Sequence, residues 1–552
     1  MKDYTKKQKI LIVLGVSLFI LMGSGLTYAG LMWATSNPIN IGLTSGCFEI
    51  NYTPGGAINN ANVEVMNEST LISNNKFTIT DGIALTYANV GIKSTCTIEG
   101  YGSLYLNVTN LSNAFTTGSS KGSLKYAILN NTSSSTNLTV AGLKGQSFDI
   151  IKTGTITSTG TVNILTKQLS NTSQYKYLIV FYIDGSKIGN DVIGASFAGN
   201  ISADAHQGKL DLAKETLNYL KSLNSTITLA NDTPDFTKVS GNNGGKGDGT
   251  KGIYKAEDDL GTSYYFRGAV DNNYVKFANF YWRIIRINGD GTIRMIYAGT
   301  SAHTNGESET NSYISKTAYN SSYNDNTYVG YMTGSTGATT YASAHSNTNN
   351  STIKGVIDTW YKTNIEDKGY SSYVADAIYC NDRSIANDSA TNTMLTKANS
   401  SWTNTGLGYG TNVTAYGGFK RNWVDRMPSL KCPNNNDKFT KSSTLGNGKL
   451  TYPVALITSD EIAYAGGSAY NYNTSSYIAN TEFYLHTPSY YYWTLTPWAF
   501  AGGTSDVGCW NAAGFLDYDF VFYTYGARPA VSLSSVAISG GNGTISNPFT
   551  VG

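Results

Sequence analysis

Residues 491–531 read YYWTLTPWAFAGGTSDVGCWNAAGFLDYDFVFYTYGARPAV, the densest aromatic run of the chain. WTLTP and ARPAVSL have strand character and flank a CWNAAGFL hairpin, so the stretch predicts the closing strands of a sheet. Its residues fall into two classes. Trp493, Leu495, Val507, Leu516, Val521, Arg528 and Pro529 fit a framework that seats the hairpin. Between them lie Trp498, Phe500, Ser505, Asp506, Cys509, Trp510, Asp517, Tyr518, Asp519, Phe520, Phe522 and Tyr523, with little order. Tyr and Trp offer large rigid contact area, and Asp and Ser add hydrogen bonds, which is the chemistry of a ligand-contacting surface. The competing expectation is that these rings simply pack the end of the sheet.

Working outward, 552 residues exceed one ordinary domain and predict several. Charged residues make up only 14%, and the chain is solvated by Asn, Ser, Thr, Gly and Tyr instead. A net charge of +2 gives no general attraction to nucleic acid, so no nucleic-acid partner is expected. Short β segments joined by polar turns suit this composition, and a mainly β extracellular protein is the expectation.

The N-terminus carries Lys2, Lys6, Lys7 and Lys9, and Ile10 to Ala34 then holds no charged residue. That run exceeds the ~20 residues that cross a bilayer. The basic flank predicts a cytoplasmic N-terminus and export of the rest, with the membrane as partner through this helix. Thr27-Tyr28-Ala29 offers a cleavage site, so a signal peptide and an uncleaved anchor both stand. Five cysteines lack CxxC spacing. Pairing Cys47 with Cys96 and Cys380 with Cys432 is the economical reading, leaving Cys509 odd; five free thiols is the alternative.

Four segments follow: the stub and anchor or signal peptide (1–36), a β-sandwich stalk (37–207), a helix with a Gly-rich linker (208–252) and an α+β domain (253–552). In the second, CFEINYT, KFTIT, GSLYLNVTN, SLKYAIL and YKYLIVFYIDG recur as short strand patterns. In the third, Leu210, Ala213, Leu217 and Leu220 fall at helical spacing, and residues 231–252 have linker composition. In the fourth, FYWRIIRI and TIRMIY flank Asn288-Gly289-Asp290-Gly291, a hairpin signal. A helix is predicted over Ser351 to Ile365, and another capped by Thr458 or Ser459 and stopped by Gly466.

TYAGLMWATSNPINI, GCFEINY and KYLIVFYIDG…SFAGNISADA resemble the exported β-sandwich of Gram-positive surface proteins of the TasA and camelysin type. WTLTP, the polar-aromatic hairpin and YGARPAVSL, with IYCNDRS and SLKCPNNNDKF, resemble the C-type-lectin-like fold of formylglycine-generating enzymes and retroelement-diversified variable proteins. The second resemblance implies that ligand contacts sit in the Trp498–Tyr523 hairpin. Many residues there also belong to the set that adenine mutagenesis of AAY codons produces.

Catalytic chemistry finds little support. The chain has no HExxH motif, and His206, His303, His345 and His486 lack metal-ligand spacing and read as solvated surface residues. Formylglycine-generating enzymes use a cysteine pair where this chain has only Cys509. The acidic-amide motifs of calcium-dependent lectins are missing. Asp258-Asp259 and Asp517 with Asp519 are the remaining carboxylate pairs, and neighbours on one strand do not converge on a bond. No catalytic residue, metal site or cofactor is assigned. The expected function is a cell-surface ligand-binding or adhesion protein whose lectin-like domain takes an extracellular protein or glycan. The alternative is a structural subunit of a matrix or fibre.

Overall fold

YKYLIVFYIDG fills the strand Gln174–Asp184, and its unbroken apolar run has a structural cause. Tyr177, Ile179, Phe181 and Ile183 enter one hydrophobic layer, while Leu178, Val180 and Tyr182 enter another. A strand covered on both faces has no need of polar alternation. The computed structural model describes residues 48–59, 63–94, 100–169, 174–207, 210–306, 312–535 and 537–551. It is mainly β and divides into two compact units, Met1–Leu210 and Asp211–Gly552. The expected anchor and the Cys47–Cys96 pairing lie outside the described residues. Among those described, no helix is long and apolar enough to cross a membrane.

In the first unit, Gln174–Asp184 runs between Ala84–Ser94 and Leu124–Asn130, antiparallel to both. A second sheet orders Gly160–Leu169, Gly100–Leu111, Phe197–Gln207 and Ile58–Asn59. Leu104, Leu106 and Ile201 of that sheet meet Tyr126, Ile128 and Ile179 of the first in one core. On the opposite face of the first sheet, Leu178, Val180 and Tyr182 cluster with Leu71 and Leu143 and with Phe77 and Phe148 from further strands of the same sheet.

The second unit holds a ten-stranded and a seven-stranded sheet around one aromatic core. Phe280–Ile287 and Ile293–Gly299 pair antiparallel as expected, with Gly291 taking the positive φ of their connection. The helix Thr352–Tyr361 is capped by Ser351 and continues as a wider helical turn, Lys362–Glu366. Thr458 caps Ser459–Ala465 in a reciprocal capping box with Glu461, and Gly466 ends it at φ +124°. Cys380 and Cys432 are joined in a disulfide.

One expected boundary moves. The segment 208–252 is not a free connector. The helix Leu212–Leu223 buries Ala213, Leu217 and Leu220 in the second unit and donates from Thr216 Oγ1 to the Gly291 carbonyl. The polar stretch after it is folded down by its own aspartates. Asp248 accepts from Thr250 N at 3.0 Å and pairs with buried Arg267 at 2.9 Å. Val239 is buried, and Ser240 N donates to the Gly466 carbonyl. Asx turns thus fold a composition that resembles a linker.

Candidate functional site: the C-terminal aromatic edge

The closing stretch forms a three-stranded meander, Tyr492–Ala501, Thr504–Asn511 and Phe515–Phe520, followed by Tyr525–Ala527. Gly502 and Gly503, at φ +59° and +83°, make its first turn, since both central residues of a tight hairpin loop need positive φ. The second loop, Ala512 to Gly514, has Gly514 at φ +95° and Asn511 Oδ1 accepting from Ala513 N. Phe515–Phe520 pairs along its length with Thr504–Asn511, and on its other side a parallel bridge at Leu516 to Ala469 is the one pairing among the described residues, so Asp517 to Phe520 lie at a sheet edge.

This topology sorts the twelve candidate residues. Trp498, Phe500, Ser505, Asp506, Cys509 and Trp510 are buried, which corrects their expected place on a contact surface. The cause is that Tyr492–Ala501, which carries Trp498 and Phe500, and Thr504–Asn511, which carries the other four, each have strands on both sides and cover on both faces. Trp510 packs on Phe483 and His486, with ring centres 4.9 and 6.2 Å away. Trp498 is boxed by Phe419, Trp423 and Trp402, and Tyr518 stacks on it at 3.6 Å and 7°. Ser505 Oγ donates to the Asp325 carbonyl at 2.6 Å. Burial pushes the Cys509 thiol well above its ordinary value, with Asp517 and Asp519 adding to the shift, so it is no poised nucleophile. Burial likewise lifts the Asp506 carboxyl, whose Oδ2 has no hydrogen-bond partner among the described residues.

Six candidates remain at the edge. Asp517, Tyr518, Asp519 and Phe520 are half-buried, while Phe522 and Tyr523 are 36% and 42% exposed. Asp517 and Asp519 stand opposite Cys509 and Val507, on one face of the strand. Burial raises both carboxyls, against hydrogen bonds from Asn511 Nδ2 to Asp517 and from the Tyr525 hydroxyl to Asp519. Past the strand end the rings form a cluster. Phe520 lies 5.6 Å from Phe522 and 5.5 Å from Tyr523. Tyr323, 43% exposed, lies 4.8 Å from Phe522 and completes the patch. Sequence reasoning missed Tyr323, and no local signal marks it, because it arrives from a loop far upstream. Tyr525, also missed, lay within the opening stretch.

The other carboxylate pair, Asp258-Asp259, lines a cavity of about 590 Å³ that includes space open to solvent. Its charges are already matched. Arg286 bridges Asp258 at 2.7 Å and Glu461 at 3.1 Å, and Lys438 holds Asp259 at 2.8 Å. Arg421 takes Asp382 and Asp460. Despite burial, Arg294 and Arg286, both paired with its carboxylate, hold Glu461 below the usual carboxylate range. This is a neutralised ionic network.

The histidines also differ from expectation. His345 and His486 are buried, and burial lowers them to about 3 and about 4. His303 is lowered for the same reason, and the His206 side chain lies outside the described set. Among the described residues no group of three or more His, Cys, Asp or Glu is placed to hold a metal ion. No protein-family model matches the chain, and no curated protein matches it.

Proposed function

We propose that the chain is a bacterial cell-surface ligand-binding or adhesion protein, exported and tethered through its N-terminus. In this reading the first unit is a β-sandwich stalk and the second a C-type-lectin-like recognition unit. The protein binds its extracellular protein or glycan ligand non-covalently and without turnover. The observation that carries the reading is the cluster of exposed Tyr323, Phe522 and Tyr523 with half-buried Phe520 at the end of the meander. Exposed rings forfeit hydrophobic stabilisation when left in water, and contiguous apolar patches mark interaction sites. Half-buried Asp517 and Asp519 beside them offer acceptors for a ligand's hydroxyl or amide donors.

The test is a printed glycan array and a panel of immobilised extracellular proteins, probed with the purified full chain. Binding to a probe that disappears in the Phe522→Ala/Tyr523→Ala double variant supports the reading. Unchanged binding in that variant overturns it. Filaments of the purified chain in electron micrographs, with no probe bound, would instead favour the matrix-subunit function.

A further inference from the structure

In the first unit Tyr182 pairs with Lys125 across two neighbouring strands. Asp184 lies two residues beyond Tyr182, so all three side chains leave the same face of the sheet. Lys125 Nζ stands 2.9 Å from Asp184 Oδ2 and 2.7 Å from Glu68 Oε2. The Tyr182 hydroxyl donates to the other Glu68 oxygen at 2.5 Å. Asp184 is fixed from its far side by Ser186, whose N and Oγ donate to Oδ1 at 3.0 and 2.7 Å. The Lys125 and Asp184 side chains are 15% and 4% exposed, and Glu68 is 34% exposed. Next to them lies the apolar layer of Leu71, Ala127, Leu129 and Val180. An amine in contact with a fixed, desolvated carboxyl, with a second carboxylate also touching the amine, is the arrangement that amide condensation requires.

We propose that Lys125 and Asp184 condense into an intramolecular amide cross-link, with Glu68 carrying the proton. The pair begins as an ion pair. One proton passes from Nζ to the Asp184 carboxyl along their hydrogen bond, leaving a neutral amine and a neutral acid. Nζ attacks Cγ, forming the N–C bond. Glu68 takes the second proton from Nζ and returns it to the departing oxygen. The Cγ–O bond breaks, one water leaves, and Glu68 ends as it began. No oxidant, reductant or activated donor is needed.

Burial raises the Asp184 carboxyl, but hydrogen bonds from Lys125 and Ser186 outweigh this and bring it down to about 2. The neutral pair is therefore a minor state, and the cross-link forms slowly, after folding. The product ties Leu124–Asn130 to Gln174–Asp184 covalently, suiting a unit that bears load between a membrane and a bound ligand. The inference stands whether or not the aromatic edge binds a ligand.

The experiment is a tryptic map of the reduced full chain by mass spectrometry. Trypsin cuts after lysine, so a modified Lys125 is skipped. The expected product is residues 122–144 joined to residues 177–187, lighter by one water than the two peptides together. Complete cleavage after Lys125, with residues 177–187 recovered as a free linear peptide, overturns the proposal, and this map needs no variant to fold. Glu68→Gln is expected to give only the linear peptides. A variant cross-linked as fully and as fast as the natural chain would overturn the assignment to Glu68.

Discussion

Replacing Trp510 by Ala and replacing Phe522 and Tyr523 by Ala should have opposite consequences, although the three residues lie within fourteen positions. Trp510 is fully buried against Phe483 and His486. Removing so large a buried side chain costs about 3–5 kcal/mol, counting the cavity left behind. Phe522 buries only part of its surface and has ring contacts with Tyr323, Phe520 and Tyr523. Its truncation costs ~1–2 kcal/mol, from partial burial and weak ring pairing. Guanidinium unfolding followed by tryptophan fluorescence separates the cases, because every tryptophan except Trp33 lies in the second unit. The expected loss of midpoint for Trp510→Ala is roughly 0.5–1 M, and for Phe522→Ala roughly a third of that. Probe binding should follow the reverse order, lost in the edge variant and kept by whatever Trp510→Ala remains folded. Equal destabilisation by both substitutions would show that Phe522 and Tyr523 are core residues, and the recognition surface would have to be abandoned.

Three further outcomes follow from the second unit. Cys380→Ser with Cys432→Ser opens a loop with a sequence separation of 52 and should lower stability by about 4 kcal/mol on chain-entropy grounds, read by denaturant unfolding. Asp506→Asn should stabilise the unit near pH 7. A folded-state carboxyl raised by burial binds its proton more tightly than the unfolded chain does, so its unfavourable contribution grows as pH rises from ~4. The gain from Asn should therefore shrink as pH falls towards ~4, and a gain independent of pH would refute this account. His486 has the opposite sign. Burial lowers it to about 4, so stability is lost as pH falls from the unfolded value of ~6.5 through the folded one. His486→Phe should make the melting temperature less sensitive to acid over that window.

Features governed by local chemistry were legible in the sequence. Thr458, Glu461 and Gly466 define their helix through a capping box and a positive φ, interactions confined to a few neighbouring residues. Ala213, Leu217 and Leu220 are buried as their spacing predicts, and the framework residues Trp493, Leu495, Val507, Leu516, Val521 and Arg528 are all interior. What misled was composition. The Gly-rich segment before residue 252 has the content of a linker, yet Asp248 and Arg267 tie it into the unit. His345 sits beside Ser346 and Asn347 in the chain, yet both it and His486 lie among rings in space.

By itself, then, the sequence determined a mainly β protein, several of its helix ends and the aromatic character of its closing strands. Local conformational preference and side-chain alternation suffice for those. Which aromatic residues face water was decided only by tertiary structure. Trp510 and Phe522 belong to the same kind of residue in the same stretch. The first lies on a strand with partners on both sides, and the second follows an edge strand beside Tyr323, which comes from a distant loop. Burial depends on how many layers cover a residue, and those layers come from parts of the chain that no local pattern records.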